Sequence, residues 1–175
     1  MSRCLISEDP IRHAIPHRTL PAQLQGVMDI ESDWIAMSVF QRASEVLRPA
    51  LDDIRTPLVF TNGDYQPANF LTDGQIVTGF VDFEAACFQD PLIGFAKYPI
   101  YDIDPMNRAG LVDDMLISLG FSRRDFAPRL ALGCLMTLQK EIPVRPATAD
   151  ERSYQENVLT LLADSIDLIA GRKGN

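Results

Sequence analysis

Residues 57–83 break the periodicity of the rest of the chain, and that break decides what the chain can fold into. Ahead of it Trp34, Met37, Phe40, Ala43, Leu47 and Leu51 recur at steps of three or four, predicting a helix that Ser32 or Asp33 can cap. The run PLVFTN at 57–62 is short, apolar and β-branched, which predicts a strand. Phe70-Leu71, the turn Thr72-Asp73-Gly74 and the run QIVTGFVDF at 75–83 predict a β-hairpin that reverses at Asp-Gly. Beyond Pro91 helical spacing returns. Asp104-Pro105 is an N-cap followed by proline at the first helical position, and Leu111, Val112, Met115, Leu116 and Leu119 form a stripe ending at Gly120. Ser122 with Asp125, and Thr148 with Glu151, have the spacing of capping boxes for two more helices. The expectation is one α-rich α+β domain over 1–175. Its parts are an irregular segment at 1–30 broken by Pro10, Pro16 and Pro21, a β-bearing segment at 57–96, and a helical remainder at 97–175.

Composition narrows the function classes. Hydrophobic residues make up 46% of the 175, enough for a core, and the formal net charge of -8 leaves no basic face for a nucleic acid polymer. No apolar run reaches membrane-spanning length and MSRCLISEDP is no signal peptide, so the chain is expected in the cytoplasm with no membrane partner. Cys4, Cys87 and Cys134 are odd in number and widely spaced, which predicts reduced, mostly buried thiols. His13 and His17 stand four apart, but Pro16 lies between them and no carboxylate is suitably spaced, so no metal site is expected there. Trp34 and the phenylalanines at 40, 60, 70 and 80 are expected in the core.

The chemistry concentrates in TNGDYQPANFL at 61–71 and GFVDFEAACFQDPLIGFA at 79–96. Asp64 and Asn69 stand five residues apart, the spacing of base and metal-ligand Asn in a kinase catalytic loop. A hairpin returns the chain to its start, so Asp82 at its far end can come close to Asn69. An Asp beside an Asn is a sensible pair of hard oxygen ligands for magnesium, with phosphates and water completing the shell. Gly63 permits a tight turn before the carboxylate and Pro67 stiffens the loop.

Gly63-Asp64, Asn69, the hairpin, Asp82, Glu84 and Asp90-Pro91 together resemble the aminoglycoside phosphotransferase and choline-kinase-like family. The resemblance implies the mostly helical C-lobe of a protein-kinase-like fold, with a small β-hairpin carrying the catalytic loop. It further implies Asp64 as catalytic base, Asn69 and Asp82 as magnesium and nucleotide ligands, and Glu84 as an auxiliary acid at the metal. The cofactor would be Mg2+, with ATP or GTP as co-substrate and a small-molecule acceptor. Two positions depart from the pattern: Asn62 replaces the family's His, and Gly94-Phe95-Ala96 replaces a triplet whose Asp braces the loop. Asp90 is expected to cap the following turn rather than touch substrate.

Such a kinase also needs a lobe that covers the nucleotide and carries a lysine for its phosphates. No lysine precedes Asp64, since the three are Lys97, Lys140 and Lys173, and only Gly26 precedes Gly63 among glycines. The N-lobe is therefore expected to be absent. The expected function is transfer of a nucleotide γ-phosphate to a hydroxyl of a small, amine-compatible acceptor, with a separate chain as one source of the lobe. The alternative is an inactive C-lobe remnant or binding module that needs a partner chain; a magnesium-dependent phosphohydrolase is a third class. Asp102, Asp104, Asp113 and Asp114 could receive a cationic acceptor, although a solvated face accounts for them more simply, and Tyr98 and Tyr101 are candidates for lining an acceptor pocket.

Overall fold

The structure is a computed structural model that describes residues 15–101, 106 and 108–171. Cys4, His13, Asp102, Lys173 and the expected Asp104-Pro105 cap lie outside the described residues. In chain order the elements begin with β1 (His17–Arg18), α1 (Leu20–Asp29) and α2 (Ser38–Asp52). The β-bearing segment follows: β2 (Val59–Thr61), a 3-10 turn at Pro67–Asn69, β3 (Phe70–Thr72), β4 (Val77–Phe80) and β5 (Cys87–Gln89). A second 3-10 turn at Ile93–Ala96 leads into α3 (Lys97–Ile100), α4 (Leu111–Leu119), α5 (Arg123–Glu141) and α6 (Ala149–Ile169). The mixed α+β architecture expected from the periodicity is observed.

Two differences have physical reasons. Residues 20–29 are helical where an irregular segment was expected, because Pro21 sits in the first turn, where its missing N–H costs nothing, and the Thr19 side chain accepts from Ala22 N. The next helix starts at Ser38 rather than near Ser32. Residues 32–37 instead form turns whose amides reach back three residues, from Ile35 to Ser32 and from Met37 to Trp34. Trp34 is still buried, and its indole donates to the Ile142 carbonyl at 2.7 Å, tying these turns to the end of α5.

Helix α5 runs through the core. Its Leu132, Leu135 and Leu138 are fully buried against Phe40, Leu47 and Leu51 of α2, Leu24 of α1, and Val158 and Leu162 of α6. Both expected capping boxes form: Ser122 with Asp125 starts α5, and Thr148 with Glu151 starts α6. Cys87 and Cys134 are free and buried. No helix among the described residues is long and apolar enough to cross a membrane.

The strands form two small sheets. In one, β5 lies between β1 (parallel) and β2 (antiparallel), with Phe60 opposite Phe88 and Thr61 opposite Cys87. The other is the expected hairpin, β3 against β4, with Phe70 opposite Phe80 and a register shift near Thr72 at the turn. The phenylalanines divide. Phe40 is buried, but Phe60 and Phe80 stand about half exposed, 49% and 52%, because the hairpin and β2 have nothing packed on their outer side among the described residues.

The two halves are joined by a buried ion pair. The Arg129 guanidinium meets both Asp90 oxygens, Nε to Oδ1 at 3.1 Å and Nη2 to Oδ2 at 2.6 Å, with the side chains only 3% and 1% exposed. Removing one partner of such a pair leaves an uncompensated buried charge, so Arg129→Ala should lower unfolding free energy by about 3–5 kcal/mol in a urea titration. Thr148→Ala, which removes an exposed cap, should cost only about 1 kcal/mol in the same titration.

Candidate active site

The loop between β2 and β3 is held by its own side chains. The Thr61 hydroxyl accepts from Gly63 N at 2.9 Å, and Asn62 Oδ1 accepts from Asp64 N at 3.3 Å. Gly63 has φ of 82°, and a Cβ there would lie 2.1 Å from the Ala85 carbonyl oxygen, so only glycine fits. Asn69, at the end of the 3-10 turn, donates from Nδ2 to the Asp64 carbonyl at 3.3 Å, closing the loop across its five-residue span.

The hairpin brings its far end back to this loop. Val81 N donates to the Asn69 carbonyl at 3.0 Å, and the Val81 carbonyl accepts from Asn62 Nδ2 at 3.2 Å. The residue before Asp82 is thus clamped on both sides by loop residues. Asp82 itself takes φ of 61°, the one non-glycine residue in the left-handed region among those described, and a strained backbone at such a position is a common mark of a functional site. Asn62, which stands where the resembling family has His, serves both the turn and the clamp. Asp82 and Glu84 are solvent-exposed, whereas Asn69 is buried.

Asp64 is oriented from the helical side. Its Oδ1 accepts from Lys97 Nζ at 2.7 Å and from Gln66 N at 3.2 Å. Lys97 and Tyr65 were not singled out from sequence, and both brace the loop. The Tyr65 ring packs edge-on against Phe95 at 4.8 Å, and its carbonyl accepts from the Tyr98 hydroxyl at 3.0 Å. Burial first, then the charges of Cys87 and Asp90, push the Tyr65 hydroxyl up to about 12. A Cβ on Gly94 would lie 2.5 Å from the Tyr65 ring, which explains why no Asp can stand there with Tyr65 in place. The brace expected to be lost with that carboxylate is replaced by an aromatic wedge and a lysine.

Asp90 does cap the following turn, its Oδ1 accepting from Leu92 N at 2.9 Å, while its charge goes to Arg129. His17 is exposed and lies against Phe88 at 4.8 Å. Among the described residues no three His, Cys, Asp or Glu side chains gather into a metal cluster. Magnesium asks for less, one or two carboxylates plus phosphate and water oxygens. The donor set fits that demand in kind, because the side-chain bond of Asn69 uses its Nδ2 and not its amide oxygen, a hard ligand, and its backbone carbonyl meets the residue before Asp82.

One cleft opens at the loop and a second lies beyond it on the Tyr98 side. One of about 440 Å3 is almost wholly apolar, with Phe60, Tyr65, Phe70, Phe80, Phe83 and Phe95 in its walls. The other, about 700 Å3, is polar and lined by Tyr98, Tyr101, Arg108, Asp150, Tyr154 and Asn157. Tyr101 donates to both Glu141 oxygens at 2.7 Å, and burial followed by that carboxylate raises its hydroxyl well above the usual tyrosine range. The buried Tyr154 hydroxyl, pushed up to about 12 mainly by burial, has no hydrogen-bond partner among the described residues. Asp113, expected as part of an acidic cluster, is neutralised by a two-pronged contact with Arg123.

The phosphotransferase enzyme family model matches residues 8–129, more than two thirds of the chain. A solved structure of a choline/ethanolamine kinase family protein from Mesorhizobium loti superposes with a TM-score of 0.55 at 17% identity, covering 88% of this chain and 59% of that one. At that identity the likeness concerns the fold, and the chain spans less than two thirds of the neighbour's length. No curated protein matches the chain. The family match runs through the loop, the hairpin, the Asp90 turn and into α5, and on that match the chain belongs to the phosphotransferase enzyme family.

Proposed function

We propose that this chain is the catalytic-loop half of a cytoplasmic small-molecule kinase that moves the γ-phosphate of ATP or GTP to an acceptor hydroxyl. The observation that supports the reading is the double clamp of Asn69 and Asn62 on Val81, the residue before Asp82, whose own backbone is left-handed. In this reading Asp64 orients the hydroxyl and takes its proton, and Asn69 and Asp82 hold Mg2+ against the nucleotide phosphates. The bound magnesium would neutralise phosphate charge. Glu84, exposed two residues beyond Asp82, would serve this site as an auxiliary acid.

The 700 Å3 cleft is the acceptor site of this reading. Tyr98 connects it to the loop through the Tyr65 carbonyl. An amine-bearing acceptor would meet tyrosine faces there, with Asp150 as an exposed carboxylate.

A second reading, in which the chain binds a partner and does no chemistry alone, is favoured by one surface. Leu71, Ile76, Val77, Phe80, Val81 and Phe83 are all exposed on the hairpin and just after it, a concentration of apolar area beyond scattered surface residues. A strand-rich lobe carrying a phosphate-binding lysine would cover that face and complete the nucleotide site.

Calorimetric titration with magnesium-ATP and magnesium-GTP, beside Asp82→Ala, separates the two. The kinase reading expects wild-type binding that weakens about 10- to 100-fold in the variant, the worth of a charged contact. A wild-type chain silent up to millimolar nucleotide would retire solo nucleotide handling in favour of the partner-dependent module.

A further inference from the structure

We propose that Lys97 is the cation that meets the transferring phosphoryl group, a role that rests on the kinase reading of Asp64 and Asn69. A phosphoryl-transfer site stabilises charge spread over the three equatorial oxygens, and a lysine normally joins the metal in doing so. Of the three lysines in this chain, Lys173 lies outside the described residues and Lys140 stands exposed in the last turn of α5. Lys97 alone stands at the loop, 2.7 Å from the carboxylate expected to hold the acceptor hydroxyl. Two arginines are engaged elsewhere, Arg129 with Asp90 and Arg123 with Asp113.

The contact geometry assigns the two carboxylate oxygens different tasks. Oδ1 of Asp64 is taken by Lys97 and by Gln66 N, so Oδ2 is the oxygen presented to an acceptor. A hydroxyl hydrogen-bonded to Oδ2 lies roughly 2.7 Å from it, and a phosphorus poised for attack roughly 3–3.5 Å beyond that. The four-carbon stem of Lys97 lets Nζ turn from Oδ1 to a phosphoryl oxygen over such a span. The pair is also free to exchange partners. Its side chains are 33% and 23% exposed, so water already screens the attraction.

In the step itself the acceptor oxygen forms a bond to the γ-phosphorus and the bond from phosphorus to the bridging oxygen breaks. The electron pair of that bond leaves with the nucleoside diphosphate, and the hydroxyl proton goes to Asp64 Oδ2. Lys97 keeps its proton throughout. It holds the carboxylate before transfer and the phosphoryl oxygens during it, which spares the loop an unpaired cation at either stage.

The test is calorimetric binding of magnesium-ATP and magnesium-ADP to the full chain as wild type, Lys97→Met and Lys97→Arg, each checked by thermal melting. The expected result is that the wild type prefers the triphosphate, that Lys97→Met loses that preference by about 10- to 100-fold with ADP affinity kept, and that Lys97→Arg restores part of it. A lysine that merely props up the loop would weaken both nucleotides together and lower the melting temperature, and that pattern overturns the proposal. An intact triphosphate preference in Lys97→Met overturns it as well. A wild type that binds neither nucleotide removes the kinase reading and the role of Lys97 with it.

Discussion

The buried contact between Arg129 and Asp90 is the constraint on which the placement of everything else depends. An ion pair out of water survives only if every remaining donor and acceptor is met. Here the guanidinium donates to both Asp90 oxygens, to the Thr56 hydroxyl at 2.9 Å and to the Asp125 carbonyl at 2.7 Å. Three separated pieces of chain are thereby fixed to one side chain: the approach to β2, the exit from β5 and the first turns of α5. The strands are too short to orient themselves, since β2, β3 and β5 have three residues each. Their orientation is borrowed from the helical core through this one guanidinium.

From Asp90 the constraint passes to the loop. The same carboxylate fixes the turn that delivers Gly94, Phe95, Lys97 and Tyr98 to the underside of residues 62–69. On the upper side the hairpin is stitched to the loop through Val81. Asp64 is therefore positioned from the helices and Asp82 from the strands, and the segment between them is short enough to transmit both. A site assembled this way can be rigid at its base and open above, which is what the exposed Asp82, Phe80 and Phe83 describe.

Local chemistry was legible in the sequence, and long-range pairing was not. Both capping boxes could be read because donor and acceptor are three residues apart, and the hairpin because Asp73-Gly74 and its flanking strands lie within a dozen residues. The return of the hairpin's far end to Asn69 was legible for the same reason. Arg129 was invisible because its partner lies 39 residues away and an arginine on a helix ordinarily faces water. Proline misled at position 21, where its place in the first turn matters more than its identity. Phe60 and Phe80 misled differently: their apolar character is real, but whether a phenylalanine is core depends on what lies opposite, and sequence pattern is silent about that.

The exchange at position 94 shows how one substitution can propagate into chemistry. Where the resemblance leads one to expect a bracing carboxylate, glycine leaves a hollow that the Tyr65 ring fills. Packing restores rigidity but not charge. An Asp at 94 would have put a second carboxylate near Asp64, and Lys97 would then have had two anions to serve. With Gly94 it has one, so the Lys97 charge is balanced against the single carboxylate of Asp64. Any ligand that brings phosphates to this loop adds negative charge faster than the loop can neutralise it alone. Lys97 is the one cation seen on the Asp64 carboxylate, so a phosphate-bearing ligand would need a further cation of its own to balance that excess.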